Sequence, residues 1–412
     1  MNRNPPANDA NRAPDPDAWY PVAPPAPRQG RGAVTNLQGR YEVDQREAYD
    51  DGWQHVESPA DARERSDEAG AQIDEQANAQ ANAQAGERET SEPALRTQIY
   101  EERAKSILTR NQSPDIPFNV SLNPYRGCEH GCIYCFARPT HSYLGLSPGL
   151  DFESRLYAKI NAPELLAREL AKPGYEPEPI ALGVNTDAWQ PVERELRITR
   201  RVIEVLAQRQ HPFAAITKSS LIERDLDLLA PMAERQQFMA AITITTLDAD
   251  IARTLEPRAA TPSRRLRTIR TLAQAGIPVG VSIAPVIPFV TEPDMERVLE
   301  ACAEAGATSA SFIVLRLPWE VSPLFQDWLA AHFPQRAERV MSRVRDMRGG
   351  KDYESSFSQR MKGTGLWADL LKQRFHNAVR RLGLNERRHG ILDMSEFVRA
   401  KAQEQKRQLD LF

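Results

Sequence analysis

The sequence predicts an α/β fold, a parallel sheet with helices packed outside it, between a disordered N-terminal segment and a helical C-terminal extension. Three observations carry this prediction. Six short apolar runs lie between residues 118 and 315, and helical periods fill the gaps between them. These runs are continuously apolar rather than alternating, as strands buried on both faces are. The first 95 residues carry too few apolar side chains to offset the ordering entropy of a fold.

Taken in order, residues 1–95 read as disordered, with a Pro-rich run at 21–27 and the near-repeat Gln76-Ala-Asn-Ala-Gln-Ala-Asn-Ala-Gln84. Strands are expected at 118–122, 180–184, 213–217, 238–246, 278–287 and 309–315. Between them, helices are expected at 197–207, 225–232, 264–275 and 293–305, and Gly276 supplies a helix stop before the next strand. The domain therefore runs over 96–330. A basic helical extension follows over 331–390, and 391–412 forms an exposed tail. Two glycine-bearing basic stretches in the extension, Arg348-Gly-Gly-Lys351 and Arg360-Met-Lys-Gly-Thr-Gly-Leu-Trp367, could cradle phosphates or simply join helices. Neither has P-loop spacing.

The formal net charge of -3 hides a polarity. Residues 1–95 hold 9 basic and 18 acidic side chains, whereas 331–412 hold 18 basic against 10 acidic, net +8. A basic C-terminal part suits an anionic partner such as nucleic acid, although arginines also simply solvate helix faces. The N-terminus lacks the apolar core of a signal peptide, and the longest apolar stretch, 279–290, is broken by Pro285 and Pro288. No membrane partner is expected, and the setting is a reducing, cytoplasmic one.

Chemistry concentrates in the segment Asn123-Pro-Tyr-Arg-Gly-Cys-Glu-His-Gly-Cys-Ile-Tyr-Cys135. Cys128, Cys132 and Cys135 can hold three irons of a cubane cluster, leaving the fourth iron without a protein ligand. Zinc is the alternative, with His130 or His141 completing a Cys3His set, but zinc favours paired C-x2-C units and none is present. Cys302 falls on the stripe Met295, Val298, Leu299, Cys302 at i, i+3, i+4, i+7, and reads as core.

This cysteine spacing resembles the signature of the radical S-adenosylmethionine (SAM) superfamily. The resemblance implies a partial (β/α)6 barrel over about 105–330. It also implies a [4Fe-4S] cluster whose open iron binds SAM, release of a 5′-deoxyadenosyl radical on reduction, and an electron donor such as flavodoxin or ferredoxin. Tyr134 matches the aromatic position set against the adenine. Polar clusters close the strands, where barrel active sites lie. Asn185, Thr186 and Asp187 are expected at the SAM amino group, Lys218 at its carboxylate, and Thr243 or Thr245 at the ribose. The motif, together with Thr217-Lys-Ser-Ser-Leu-Ile-Glu-Arg-Asp-Leu-Asp-Leu-Leu229, Thr245-Thr-Leu-Asp248, Leu255-Glu-Pro257 and Leu315-Arg-Leu-Pro318, is similar to the spore photoproduct lyase-like branch, often labelled DNA repair photolyase. DNA lesion repair or nucleic-acid modification is the implied function. Modification of a protein or small molecule, or a non-catalytic metal-stabilised DNA-binding adaptor, stand as alternatives.

The last five residues, Gln408-Leu-Asp-Leu-Phe412, follow a charged helical segment. They resemble the linear motif by which bacterial DNA polymerases and repair proteins dock on the replication sliding clamp. Leu409, Leu411 and Phe412 would fill apolar pockets, and Gln408 would hydrogen-bond at their rim.

Overall fold

The computed structural model describes residues 27–42, 95–386 and 392–409. Ten strands are present among them: β1 (Gln98–Glu102), β2 (Leu108–Arg110), β3 (Val120–Leu122), β4 (Tyr125–Arg126), β5 (Arg155–Lys159), β6 (Ile180–Leu182), β7 (Phe213–Thr217), β8 (Phe238–Thr243), β9 (Val279–Val286) and β10 (Ser309–Val314). Seven of them form one sheet in the order β10-β9-β8-β7-β6-β3-β2. The six strands expected from the sequence are its parallel core, and β2 adds antiparallel at one edge. This is the α/β fold that the apolar runs predict.

The strands end where their residues demand it. β6 stops at Leu182 rather than at 184, because Gly183 turns the chain at φ +79 and a Cβ there would meet Ala188 N and Ile216 O at 3.2 Å. The expected helices lie outside the sheet. Ile198–Gln208 buries Ile198, Val202, Ile203 and Leu206. Pro262–Gln274 starts at Thr261, whose side chain accepts from Arg264 N. Met295–Glu304 buries Met295, Val298, Leu299 and Cys302, the stripe read from the sequence. Cys302 is fully buried, and burial pushes its thiol up to about 12.

A second, three-stranded sheet (β1-β5-β4) was not expected. β5 alternates, with Leu156 and Ala158 inward, and holds parallel β1 on one side and antiparallel β4 on the other. β4 leads the chain into the cysteine loop.

After the sheet come the helices Val321–His332, Ala337–Asp346, Leu366–Arg381 and Ser395–Leu409. The arginines of the two basic loops are committed to the scaffold. Arg348 is buried and donates to Gln359 O at 2.7 Å and Leu315 O at 2.8 Å. Arg360 grips Asp115 with two bonds, at 2.6 and 2.5 Å. These loops are therefore joints, not phosphate cradles. They also close the sheet: Val314 N donates to Met361 O at 3.1 Å, and Ala310 exchanges backbone bonds of 2.9 and 3.0 Å with the Asn385 side chain.

The reading of 1–95 as uniformly disordered needs correction. Residues 27–42 pack onto the domain, with Arg31, Gly32, Ala33 and Val34 buried. Gly32 and Gly39 permit that close approach, and composition alone gives such a short segment no signal. Residues 1–26 and 43–94 lie outside the described residues. Among the described residues no helix is long and apolar enough to cross a membrane.

Candidate cluster and cofactor site

The cysteine loop leaves β4 through Gly127, at φ +76, where a Cβ would strike Leu156, His141 and Phe152 O within 3 Å. Gly131, between the first two cysteines, sits at φ +65 with the Glu153 carboxylate 2.8 Å from the place of a Cβ. Both glycines of the motif are thus required by backbone conformation and space. Cys128 N donates to Phe152 O at 2.9 Å, and Ile133 N to Leu255 O at 3.1 Å. Arg138 is fully buried and fastens the rest. It donates to Cys132 O (2.9 Å), Gly131 O (3.0 Å), Pro148 O (3.1 Å) and Gly149 O (3.0 Å), and pairs with the buried Glu153 carboxylate. The loop's shape is held by the chain itself.

Cys128, Cys132 and Cys135 line one cavity at the C-terminal ends of the parallel strands. Among the described residues no three His, Cys, Asp or Glu side chains converge on a point that could hold a single metal ion. His130 turns its Nδ1 to Asp187 at 3.3 Å. His141 lies outside the cavity, with its Nε2 bonded to Arg155 O at 2.9 Å, and burial lowers its pKa to about 4. Neither histidine completes a zinc tetrahedron, and three thiols that line one cavity without converging on a point suit a group larger than one ion. Burial pushes the Cys128 thiol well above its usual range and Cys132 to about 12. Thiolates there need a cationic ligand to persist, and binding one would expel protons. The residues present therefore fit a cluster held by three cysteines.

The strand ends bring most of the remaining expected residues to the same cavity. Tyr134, Asn185, Asp187, Lys218 and Thr243 line it. Thr186 and Thr245 do not. The Thr186 hydroxyl donates to Tyr125 O at 3.0 Å, and the Thr245 hydroxyl to Glu256 at 3.3 Å. Both are scaffold residues: Asn185 and Asp187, on either side of Thr186, take the cavity-facing positions, and on the fourth parallel strand Thr243 does.

Asp187 is also more occupied than expected of an ammonium acceptor. Its oxygens accept from Thr217 Oγ1 (2.7 and 2.9 Å), Lys218 N (2.8 Å) and Trp189 N (2.9 Å), and lie beside His130. Burial raises its pKa, but His130 and these donors prevail and hold it down at about 2. Lys218 is the opposite case. Its ammonium makes no hydrogen bond among the described residues and lies 5.8 Å from the Tyr134 ring centroid. Burial disfavours its charge, yet Cys132 and Glu256 nearby keep its pKa raised.

Glu256, in Leu255-Glu-Pro257, is not among the site residues expected from the sequence. Its buried carboxylate accepts from Tyr134 Oη and Arg265, so it sets the pose of the tyrosine. Burial raises its pKa, but Arg265 and Lys218 outweigh that and lower it. Phe136 and Arg316 also line the cavity, and neither is among the site residues expected from the sequence. Arg316 lies in Leu315-Arg-Leu-Pro318, but a lone arginine after a strand carries no signal of its own.

The Radical SAM superfamily model matches residues 122–302. An uncharacterised protein of Mycobacterium tuberculosis is 35% identical over 254 residues, covering 60% of this chain and 73% of that protein. One of Methanocaldococcus jannaschii is 23% identical over 247 residues, covering 60% and 88%. Among solved structures, a mutant of spore photoproduct lyase aligns with a TM-score of 0.49 at 14% identity, over 69% of this chain and 80% of that one. The matched region opens just before the cysteine loop and spans the cavity-lining ends of β6 to β9. The chain belongs to the radical SAM superfamily, and it is an enzyme that works with a [4Fe-4S] cluster and S-adenosylmethionine.

Proposed function

We propose that this enzyme acts on nucleic acid, in DNA lesion repair or base modification, in the cytoplasm. Arg316 is the observation that carries the reading. It lines the cluster cavity yet pairs with no carboxylate among the described residues. Its contacts are Met361 Sδ at 3.3 Å and Tyr353 Oη at 3.5 Å, and its buried Nε has no partner. Arg316 is half-buried, whereas the fully buried Arg138, Arg265 and Arg348 are spent on a carboxylate or on carbonyls. A guanidinium held ready beside a reaction cavity suits a phosphate, which it can bind with two parallel bonds. Phe136, 45% exposed and 5.5 Å from the Arg316 guanidinium, offers a ring on which a base can stack.

Cys128, Cys132 and Cys135 would hold the cluster. When bound, it supplies one-electron reduction of SAM and thereby a hydrogen-abstracting radical. The chain's own residues do the positioning. The Lys218 ammonium takes the SAM carboxylate, and the Asn185 side chain takes the amino group. Tyr134, fixed by Glu256, flanks the adenine, and the Thr243 hydroxyl meets the ribose. Asp187 orients rather than binds, through the Lys218 backbone and Thr217.

One experiment separates these roles. Lys218→Ala is expected to weaken SAM binding by about tenfold or more, the worth of a charge-assisted bond, and to leave oligonucleotide binding unchanged. Arg316→Ala should do the reverse. Reconstituted enzyme, reduced by flavodoxin or ferredoxin, is then assayed for 5′-deoxyadenosine with lesion-bearing oligonucleotides. Formation that no oligonucleotide alters would turn the reading to a protein or small-molecule substrate.

The C-terminal motif adds a partner. Gln408 and Leu409 close the helix Ser395–Leu409, and Leu411 and Phe412 lie outside the described residues. The bacterial sliding clamp is the proposed partner, supported by the Leu-Phe pair on a charged tail. Tethering there would raise the local concentration of DNA. A peptide covering 400–412 is expected to bind the clamp weakly, and Leu411→Ala with Phe412→Ala to abolish binding in a titration of the whole protein. No interaction of the unaltered protein would end the proposal.

A further inference from the structure

We propose that residues 27–42 form a strap that seals the back of the cysteine loop and sets how long the cluster survives. The inference concerns retention of the cluster, not the substrate, and stands whether or not nucleic acid is that substrate.

The strap meets the loop backbone to backbone. A Cβ on Gly32 would fall 1.8 Å from Gly131 O and 3.4 Å from Ile133 N, so only glycine lets the two backbones touch. The fit recurs along the segment. A Cβ on Gly149 would meet Thr35 O at 2.4 Å, and one on Gly39 would meet Leu146 O at 2.8 Å. Ala33 joins the same apolar cluster as Cys132, Ile133 and Tyr134. Cys132 thus shares one apolar cluster with this segment.

Specific bonds hold it down. Gly32 N and Ala33 N donate to the two oxygens of Glu153, at 2.9 and 2.8 Å. This is the carboxylate that pairs with Arg138, which in turn holds the Gly131 and Cys132 carbonyls. Arg31 donates to Glu153 O at 2.7 Å and to Thr97 Oγ1 at 3.2 Å. Farther along, Thr35 donates to Asp327 at 3.0 Å, Asn36 exchanges two bonds of 3.3 Å with Asp151, and Arg40 reaches Glu320 at 2.6 Å. The strap therefore completes the shell of a buried ion pair whose cation holds the loop. Without it, Glu153 keeps two open acceptor sites that only water can fill, directly behind the thiols.

Oxidant reaches the cluster from the cavity that its ligands line, but release of iron also requires the cysteine loop to give way, and that is the step the strap resists. The test uses anaerobically reconstituted protein, with iron per chain and the decay of visible absorbance in air as readouts. Gly32→Val in the full chain, and a chain lacking residues 1–42, are expected to bleach on the order of tenfold faster, since opening no longer has to break the strap's bonds. A chain lacking only residues 1–26 should behave as the full chain. Added peptide 27–42 should slow bleaching of the chain lacking 1–42. Native circular dichroism is expected throughout, with a loss of melting temperature too small to account for the change in bleaching rate. Wild-type bleaching rates in both variants would overturn the proposal. So would a faster rate that follows a matching loss of melting temperature, because the strap would then be only structural. If both variants lose native circular dichroism, Arg31→Ala decides: faster bleaching supports the strap, and an unchanged rate refutes it.

Discussion

Cys132→Ala is expected to abolish SAM cleavage, and iron per chain should fall with it. Only a thiolate at this position can complete the three-cysteine set, because the fourth cysteine, Cys302, is buried in the helix Met295–Glu304. The histidines cannot substitute, since His130 faces Asp187 and His141 faces Arg155 O. The fold should survive. Arg138 holds the Cys132 carbonyl, not its sulfur, and Cys135 N donates to Cys132 O at 3.2 Å, so the loop keeps its backbone bonds. Iron analysis, 5′-deoxyadenosine assay and circular dichroism on the same preparation check the result. Full cleavage by the variant would mean that the cluster is held elsewhere.

Arg138→Met is expected to cost about 3–5 kcal/mol of folding stability, the range found when one partner of a buried ion pair is removed. Arg138 and Glu153 are both fully buried, and the guanidinium also satisfies four carbonyls around the loop. A methionine fills comparable space but leaves the Glu153 charge and those carbonyls without donors. Arg138→Lys should recover little, since an ammonium cannot reproduce a planar fork bonded on several sides. Denaturant unfolding of the protein without its cluster gives the number directly. A loss below about 1 kcal/mol would show that water replaces the guanidinium, and that the loop is not organised by this pair.

How much of the fold and the site is legible in the sequence depends on what each residue type signals. The parallel strands are readable because a continuous apolar run such as Val279–Val286 suits a strand buried on both faces and little else. The stripe ending at Cys302 is readable from its helical period. The cysteine loop is readable because three thiols at that spacing are rare by chance. Individual cavity residues are not. Thr243 faces the cavity and Thr245 does not, although they share one face of an ideal strand, because β8 ends at Thr243 and the pleat ends with it. Arg316 and Glu256 depend on partners far away in sequence, which no local pattern reports. The strap is hidden for the same reason. Its affinity for the domain comes from three close glycine contacts and four carboxylates distant in sequence, Glu153, Asp151, Glu320 and Asp327, not from apolar content, so composition groups it with its surroundings.

The way the main sheet is finished at β10 bears on the protein's synthesis. An edge strand offers a row of unpaired donors and acceptors, ready to accept a strand from another molecule. Here that row is occupied by Met361 and by the amide of Asn385. Both come from far downstream, so a nascent chain has completed β10 well before it owns the groups that cover it. During that interval the last strand is open to pairing between neighbouring copies on one messenger. The edge of β10 is thus covered only by residues that a nascent chain gains last.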